Sequence, residues 1–329
     1  MNTERGPRAL LMVMGGLWLL LAGTAAALQE GAGLAQDYPG DEGIEGKPRV
    51  VFVERFDEDL ETIFERYDDV AAPDRMQLDA DTPPGAATDA SLLMTHVGGA
   101  GDSIHLFTRL PGYEEGYDKL HLRFYVKFDE DCWPVHHFVG LGGYHPPSRW
   151  PQGQAGRRPE GDDRFSTAVE TFGSDWRWDF YTYWSEMRGN PTQTHYGNNF
   201  VSDPGFEVTR GEWICVEFMV KLNTPPDERD GEQAFWIDGE LHRMDGQVVS
   251  HLGPGFPRGS WTWDTWTPDP DGEPFDGFRW RTTEDLAINS LWLSLYITGA
   301  PEDYESKVWL DHVVVAEEYI GPLAPGGNN

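Results

Sequence analysis

The stretch Val135–Met187, VHHFVGLGGYHPPSRWPQGQAGRRPEGDDRFSTAVETFGSDWRWDFYTYWSEM, decides how the chain is read. A short apolar run carrying His136 and His137 enters a glycine-rich turn. A long polar loop rich in Arg, Gly and Pro follows, and FSTAVETF and WDFYTYW close the stretch as two strands. Long loops without structure of their own are uncommon in compact domains and often functional. A loop held between strands is a common way of building a binding site on a rigid floor.

Working outward, the same strand grammar covers most of the chain. VVFVERF (from Val50) opens it, and DEDLETIFERYDDV has helical spacing at Leu60, Ile63, Phe64 and Tyr67. SLLMTHV and SIHLFTRL, joined through Gly98–Asp102, predict a hairpin. In Lys119–Phe128, Leu120, Leu122, Phe124, Val126 and Phe128 fall on one face, and Lys119, His121, Arg123, Tyr125 and Lys127 on the other. WICVEFMVKLN (Trp213–Asn223) is a strongly apolar strand. AFWIDGELHRM turns on Asp238-Gly239, a strong short-range hairpin signal. A Trp-, Gly- and Pro-rich stretch follows, expected to lie over one end of the fold. Ile288–Thr298 and Ser306–Gly321 supply the last strands. Many short strands with Gly/Pro turns and one helical segment predict an all-β, two-sheet antiparallel sandwich. One domain is expected over residues 49–321, after a disordered leader (28–48) and before a disordered tail (322–329).

Arg5 and Arg8, the apolar run Ala9–Leu21 and the small residues Ala25–Ala27 have the form of a secretory signal peptide over residues 1–27. The run is short for a membrane span of roughly 20 residues. The expected location is therefore secreted or periplasmic, with no membrane association after cleavage. The net charge of −31 argues against nucleic acid and anionic membranes as partners. The chain is expected to act as a monomer. Its two cysteines, Cys132 and Cys215, are in a compartment that permits pairing, but their positions in the sequence do not settle whether they meet. The chain has 14 Trp and 12 Tyr. Most would serve the core, although flat rings also suit sugar-binding clefts.

Within the central stretch, Tyr181 and Tyr183 share one strand face, and Phe180, Thr182 and Trp184 the other. If His136 and His137 both sit in a strand, they point to opposite faces and at most one of them meets a cleft. Arg149, Arg157, Arg158, Arg164, Arg177 and Arg188 nearly balance the seven acids between Tyr144 and Arg188, a local relief of negative charge suited to a carboxylated ligand. Each feature also has a plain structural reading: a packed histidine, tyrosines on a strand, or arginines paired with neighbouring acids on the surface. Trp261, Trp263 and Trp266 form a further candidate sugar platform.

Three segments resemble the concanavalin A-like jelly rolls of the polysaccharide lyase type. GEWICVEFMVKLNTPPDERDGEQAFWIDGEL (Gly211–Leu241) is similar to a G-x-W strand leading into K-L-N-T-P and a W-x-D-G hairpin. VWLDHVVVAEEYIG (Val308–Gly321) is similar to the closing strand. GLGGYHPPSRWPQGQAG (Gly140–Gly156) with FYTYW (Phe180–Trp184) resembles the middle of the alginate and glucuronan lyases of families 14 and 20. The resemblance covers most of Val50–Gly321. It implies a jelly roll acting on polysaccharide, with a catalytic tyrosine at Tyr181 or Tyr183; beside it, His136 and His137 are candidates for the base because histidine titrates near neutrality. On the local relief of negative charge and the strand's aromatic content, substrate contacts are expected from Arg149, Arg157, Arg158, Arg164, Arg177 and Trp184. No cofactor is required, although a structural calcium at Glu54 and Asp311 is in keeping with the resemblance. The sequence departs from the family at two places: His136-His137-Phe138-Val139 stands where a lysine is usual, and Ser166–Glu170 lacks the usual arginine. A lyase on a uronate glycan, a non-catalytic carbohydrate-binding protein and a hydrolase therefore all stay open. The paired carboxylates typical of glycoside hydrolysis are not evident as a cluster.

Overall fold

The computed structural model describes residues 28–101, 103–150 and 155–324. The expected signal peptide and the last five residues of the expected tail lie outside the described residues. Among the described residues no helix is long and apolar enough to cross a membrane.

In chain order the first strands are β1 (Val50–Glu54), β2 (Asp69–Ala71), β3 (Met76–Asp79), β4 (Ser91–Val97), β5 (Ile104–Arg109) and β6 (Lys119–Phe128). Next come β7 (Val135–His137), β8 (Gly140–Tyr144), β9 (Arg164–Phe172), β10 (Arg177–Tyr183), β11 (Trp213–Lys221) and β12 (Glu232–Ile237). The short strands β13 (Glu240–Leu241), β14 (Arg243–Met244), β15 (Gln247–Val248) and β16 (His251–Leu252) follow. The last are β17 (Arg258–Thr262), β18 (Thr265–Pro268), β19 (Glu273–Pro274), β20 (Ser290–Ile297) and β21 (Glu305–Ala316). The predicted helix is the short α1 (Leu60–Phe64), capped by Asp59, whose carboxylate accepts the Thr62 N–H.

Among the described residues, nine strands form one antiparallel sheet, with central order β13-β12-β11-β6-β21-β4-β3. Seven form the other, with order β10-β9-β8-β20-β5-β2 and β7 on β20. The chain is thus the all-β two-sheet sandwich predicted, and the apolar face of β6 lies wholly in its core. The Asp238-Gly239 hairpin forms as expected: both residues have positive φ, and Ile237 pairs with Glu240.

The predicted hairpin of β4 and β5 does not form. β4 pairs with β3 and β21 in one sheet, while β5 pairs with β2 and β20 in the other. Both runs are buried along nearly their whole length, so each needs cover on two faces, and the glycine link crosses between the sheets instead of folding back.

The leader is also corrected. Residues 28–48 lie in an ordered path over the outer face of the larger sheet, where Ala35 and Ile44 pack with Val314, Ala316 and Ile320. Backbone bonds tie the path down: Ala35 N–H to the Ile320 carbonyl at 2.9 Å, and Gly31 N–H to the Gly239 carbonyl at 2.8 Å. Gly40 and Gly43 adopt positive φ where the path turns. Beneath it, Asp41 meets the Arg123 guanidinium at 2.6 Å, both side chains with 0% exposure. The start of the expected tail is ordered too. Leu323 and Ala324 are buried, and the Leu323 N–H donates to the Tyr125 hydroxyl. The leader and tail explain why His121, Arg123 and Tyr125, on the polar face of β6, are buried.

The two cysteines are free. Cys132 belongs to the core between the sheets, whereas Cys215 packs with Tyr125 and Leu323 on the outer side of the larger sheet. No bridge spans a sheet from face to face. Burial, with Asp129 close by, pushes the Cys132 thiol up to about 12. We expect alkylation of the denatured protein to label both cysteines without reductant, and the intact mass to be the same with and without reduction. A mass gain on reduction would contradict this.

Candidate active site

The site lies on the face of the seven-stranded sheet turned away from the core. Along β9, Phe165 and Val169 enter the core, which leaves Arg164, Ser166, Ala168 and Glu170 on the opposite face. Along β10, Phe180, Thr182 and Trp184 are buried inward, and Tyr181 and Tyr183 stand on the open side. Gly140 and Gly142 on β8 contribute no side chains to the floor, and Ser166, Ala168 and Ser290 contribute small ones. The result is a cleft of about 330 Å³. Its walls carry His137, Tyr181, Tyr183, Trp292 and Tyr296.

The two histidines are not divided between faces. Their rings lie 4.2 Å apart, and both approach Tyr181, at 6.2 Å for His136 and 4.9 Å for His137. The reason is a register irregularity. Tyr296 pairs with His137 and Ile297 with Val135, so His136 is the extra residue of a bulge. His137 stacks on Tyr296, with centroids 5.5 Å apart and planes at 14°. Its Nδ1 faces Glu170 Oε1 at 3.4 Å. This contact holds the ring and leaves Nε2 for a ligand. Glu170 is buried and also accepts the Phe138 N–H. Burial raises its carboxyl above the usual range, against the pull of His137. Burial and the neighbouring His137 hold His136 down to about 4, although its ring reaches solvent, so it is neutral at physiological pH.

Tyr181 and Tyr183 have their hydroxyls 3.4 Å apart. Burial raises both phenols, and the pair is not symmetric. The Gly197 backbone favours the anion of either phenol, and the Gly156 backbone that of Tyr183, so Tyr183 is the better placed of the two to lose its proton. The loop that provides Gly197 comes so close that a Cβ there would sit 2.7 Å from the Tyr181 ring.

The predicted arginines separate. Arg164 lines the cleft, its guanidinium held by Asp163 at 2.6 Å and by the Arg157 carbonyl at 3.0 Å. Arg149 reaches Asp68 at 3.0 Å. Arg177, at the far end of β10, lies over the Phe172 ring outside the cleft lining. Arg157 and Arg158 lie in a neighbouring groove. Trp184 faces the core, packed on Phe278, with its indole N–H donated to Asn198. It offers no ring to a ligand. Of the tryptophan cluster, Trp266 is buried, Trp261 lies under the Arg188 guanidinium, and Trp263 presents an open ring.

The calcium expectation is corrected as well. The Glu54 carboxylate is occupied by the Arg66 guanidinium at 2.9 Å and the Phe56 N–H, while Asp311 is fully buried and accepts the His312 N–H. The described residues contain no group of three or more His, Cys, Asp or Glu side chains able to hold a metal ion.

Tyr296, Trp292 and Glu170 were not picked out as site residues. In SLWLSLYI the alternation puts Trp292 and Tyr296 opposite the core leucines, and that pattern was their available signal.

No family model matches the chain, and no curated protein matches it. Solved structures do. Alginate lyase vAL-1 from a Chlorella virus matches with a TM-score of 0.51 at 13% identity, over 82% of this chain and 100% of that one. Alginate lyase Aly36B, in complex with an alginate trisaccharide, matches at 15% identity over 89% and 100%, with a TM-score of 0.49. The endo-β-1,4-glucuronan lyase of Trichoderma reesei matches at 15% over 80% and 95%, with a TM-score of 0.41. At such identities the likeness speaks for the architecture. The chain has a jelly-roll fold of the polysaccharide-lyase type.

Proposed function

We propose that this protein is an exported polysaccharide lyase that cleaves a uronate-containing glycan by β-elimination in the cleft. The observation that carries the reading is the convergence of Tyr181, Tyr183, His137 and Tyr296 on one open cleft, with the two phenol oxygens 3.4 Å apart. Elimination removes the proton α to the uronate carboxylate and breaks the bond to the 4-linked sugar, whose oxygen takes up a proton. Tyr183, ionised, accepts the first proton, because its anion is the better supported of the two phenols. Tyr181 gives a proton to the leaving oxygen. His137, braced by Glu170 and Tyr296, carries a hydrogen on Nε2 and donates it to the substrate carboxylate as negative charge builds there.

The base must lose its proton first, and burial lifts the Tyr183 phenol above its ordinary value. Below that value the ionised fraction grows about tenfold per pH unit. We therefore expect kcat/KM to climb through neutral pH into the alkaline range, with no inflection from His136 above about 4. A pH profile with an acidic optimum would overturn the assignment of Tyr183. Mass spectrometry of the products tests the reaction itself: elimination leaves fragments lighter by one water than those of hydrolysis.

A second reading has its own support. Among the described cleft-lining residues, Arg164 is the one arginine, and its guanidinium is already engaged. A cleft without a free cation suits a carbohydrate-binding protein that does not turn its ligand over. Retention of the protein by glycan-containing gels, with no new chain ends, would select this reading. Hydrolysis has less support, because Glu170 is the one carboxylate on the described lining.

A further inference from the structure

Beyond the β10 edge of the cleft lies a groove that the elimination chemistry does not use. One part is lined by Arg157, Arg158, Gln193 and His195, and the adjoining part by Arg158, Arg188, His195 and Trp263. The shared residues make the two parts continuous. The cleft wall ends at Ala155 and the groove includes Arg158. Three peptide units separate their Cα atoms, so these are at most about 11 Å apart. The start of β9 is fastened to the loop through Arg164, which donates to the Arg157 carbonyl at 3.0 Å, and His195 joins the loop through its N–H to the Gly156 carbonyl at 3.3 Å.

Two features of the groove point to a ligand. The first is charge. In a chain of net charge −31, Arg157, Arg158 and Arg188 have no ion pair among the described residues. The nearby acids are otherwise committed or outnumbered. Glu186 is bonded to Arg229, Glu160 is the one acid on the lining, and Asp276 acts on Arg188 from the far side. The second is aromatic surface. Among the described residues three large apolar side chains are exposed: Trp150 (57%), Tyr196 (47%) and Trp263 (55%). Trp263 lines the groove. Tyr196 stands at its junction with the cleft, beside Gly156. Trp150 marks the other end, against His105 of β5. Open rings beside unpaired guanidinium groups are suited to a sugar ring that carries an anion.

We propose that this groove is an extended binding site for the acidic groups, carboxylate or sulfate, of a polysaccharide that runs across the strands, from Trp150 through the cleft and past the β10 edge to Arg158, Arg188 and Trp263. The inference shares with the proposed function the acidic nature of the glycan and does not need the elimination step. It makes the protein a reader of several consecutive sugars, with the cleft inside the bound segment and not at its end.

The test is affinity electrophoresis of the full-length protein in gels containing a polyuronate, a sulfated galactan or a neutral β-glucan, with wild type, Arg157→Gln/Arg158→Gln and Arg157→Lys/Arg158→Lys. Loss of two groove charges is expected to weaken retention by the acidic polymer about tenfold, and the lysine pair to restore most of it. Retention by the neutral polymer should be the same in all three proteins. The salt dependence of acidic-polymer binding should become shallower in the glutamine variant. Equal retention of wild type and the glutamine variant by the acidic polymers would overturn the proposal, as would an equal loss on the neutral polymer. Arginine-dependent retention by sulfated galactan alone would keep the groove, name its anion as sulfate, and overturn the elimination reading, which needs a carboxylate. Arginine-dependent retention by polyuronate without turnover would keep the groove and favour the non-catalytic reading.

Discussion

Tyr183→Phe should lower the turnover of a uronate polymer by about three orders of magnitude or more while leaving the folded protein as stable as wild type. Removing a positioned acid–base group generally costs 10²–10⁴-fold, and here the same oxygen is also the partner of Tyr181. The hydroxyl contributes little to packing, because the ring is only partly buried and the strand is held by β9 through seven paired residues. Tyr181→Phe should be less severe, since a leaving oxygen can take its proton from water in an open cleft. The discriminating result is the order of the two variants in kcat, measured with thermal melting as the control. If Tyr181→Phe were the more damaged of the two at unchanged stability, the roles assigned from the Gly156 backbone would be reversed.

The second large effect concerns stability and lies far from the cleft. Asp41→Ala should destabilise the protein by about 3–5 kcal/mol, because it leaves the Arg123 guanidinium as an uncompensated charge in a dry site. Both side chains are completely buried, and Arg123 sits in the middle of the nine-stranded sheet. Replacing both partners, by Asp41→Leu with Arg123→Met, should recover most of the loss, since a buried ion pair often contributes little more than an apolar pair of similar volume. Denaturant unfolding of the three proteins measures this. If Asp41→Ala were as stable as wild type, the leader would not be part of the folded domain.

That buried pair also shows why some of the molecule could be read from its sequence and some could not. The strict alternation of β6 and the Tyr-x-Tyr of β10 were legible, because a period of two fixes which side chains share a face whatever the neighbours are. The leader was not. Gly-rich and acidic, it has few apolar residues, and it is held by backbone bonds to Gly239, Tyr319 and Ile320 and by one carboxylate matched to an arginine 82 positions away. Composition carries no signal for either. The histidine pair was half legible for a related reason: of the two, His137 lines the cleft and His136 does not, but the bulge that brings the His136 ring round beside it is set by the register of β20, more than 150 residues later in the chain. The partnership of β4 and β5 with different sheets was hidden because two apolar runs joined by glycine look alike whether they fold back or cross over. Trp184 shows the converse. Its place on one face with Phe180 and Thr182 was evident from the alternation, but the alternation did not say that this face is the core, so Trp184 was wrongly expected to meet substrate.

The account stands or falls on whether the cleft performs an elimination. The most direct measurement is ultraviolet absorbance during incubation of the protein with a set of polyuronates that includes alginate and glucuronan. The account predicts a steady rise from the unsaturated product on at least one polymer, absent in Tyr183→Phe. A flat trace on every polyuronate, or a rise that survives in Tyr183→Phe, would contradict it.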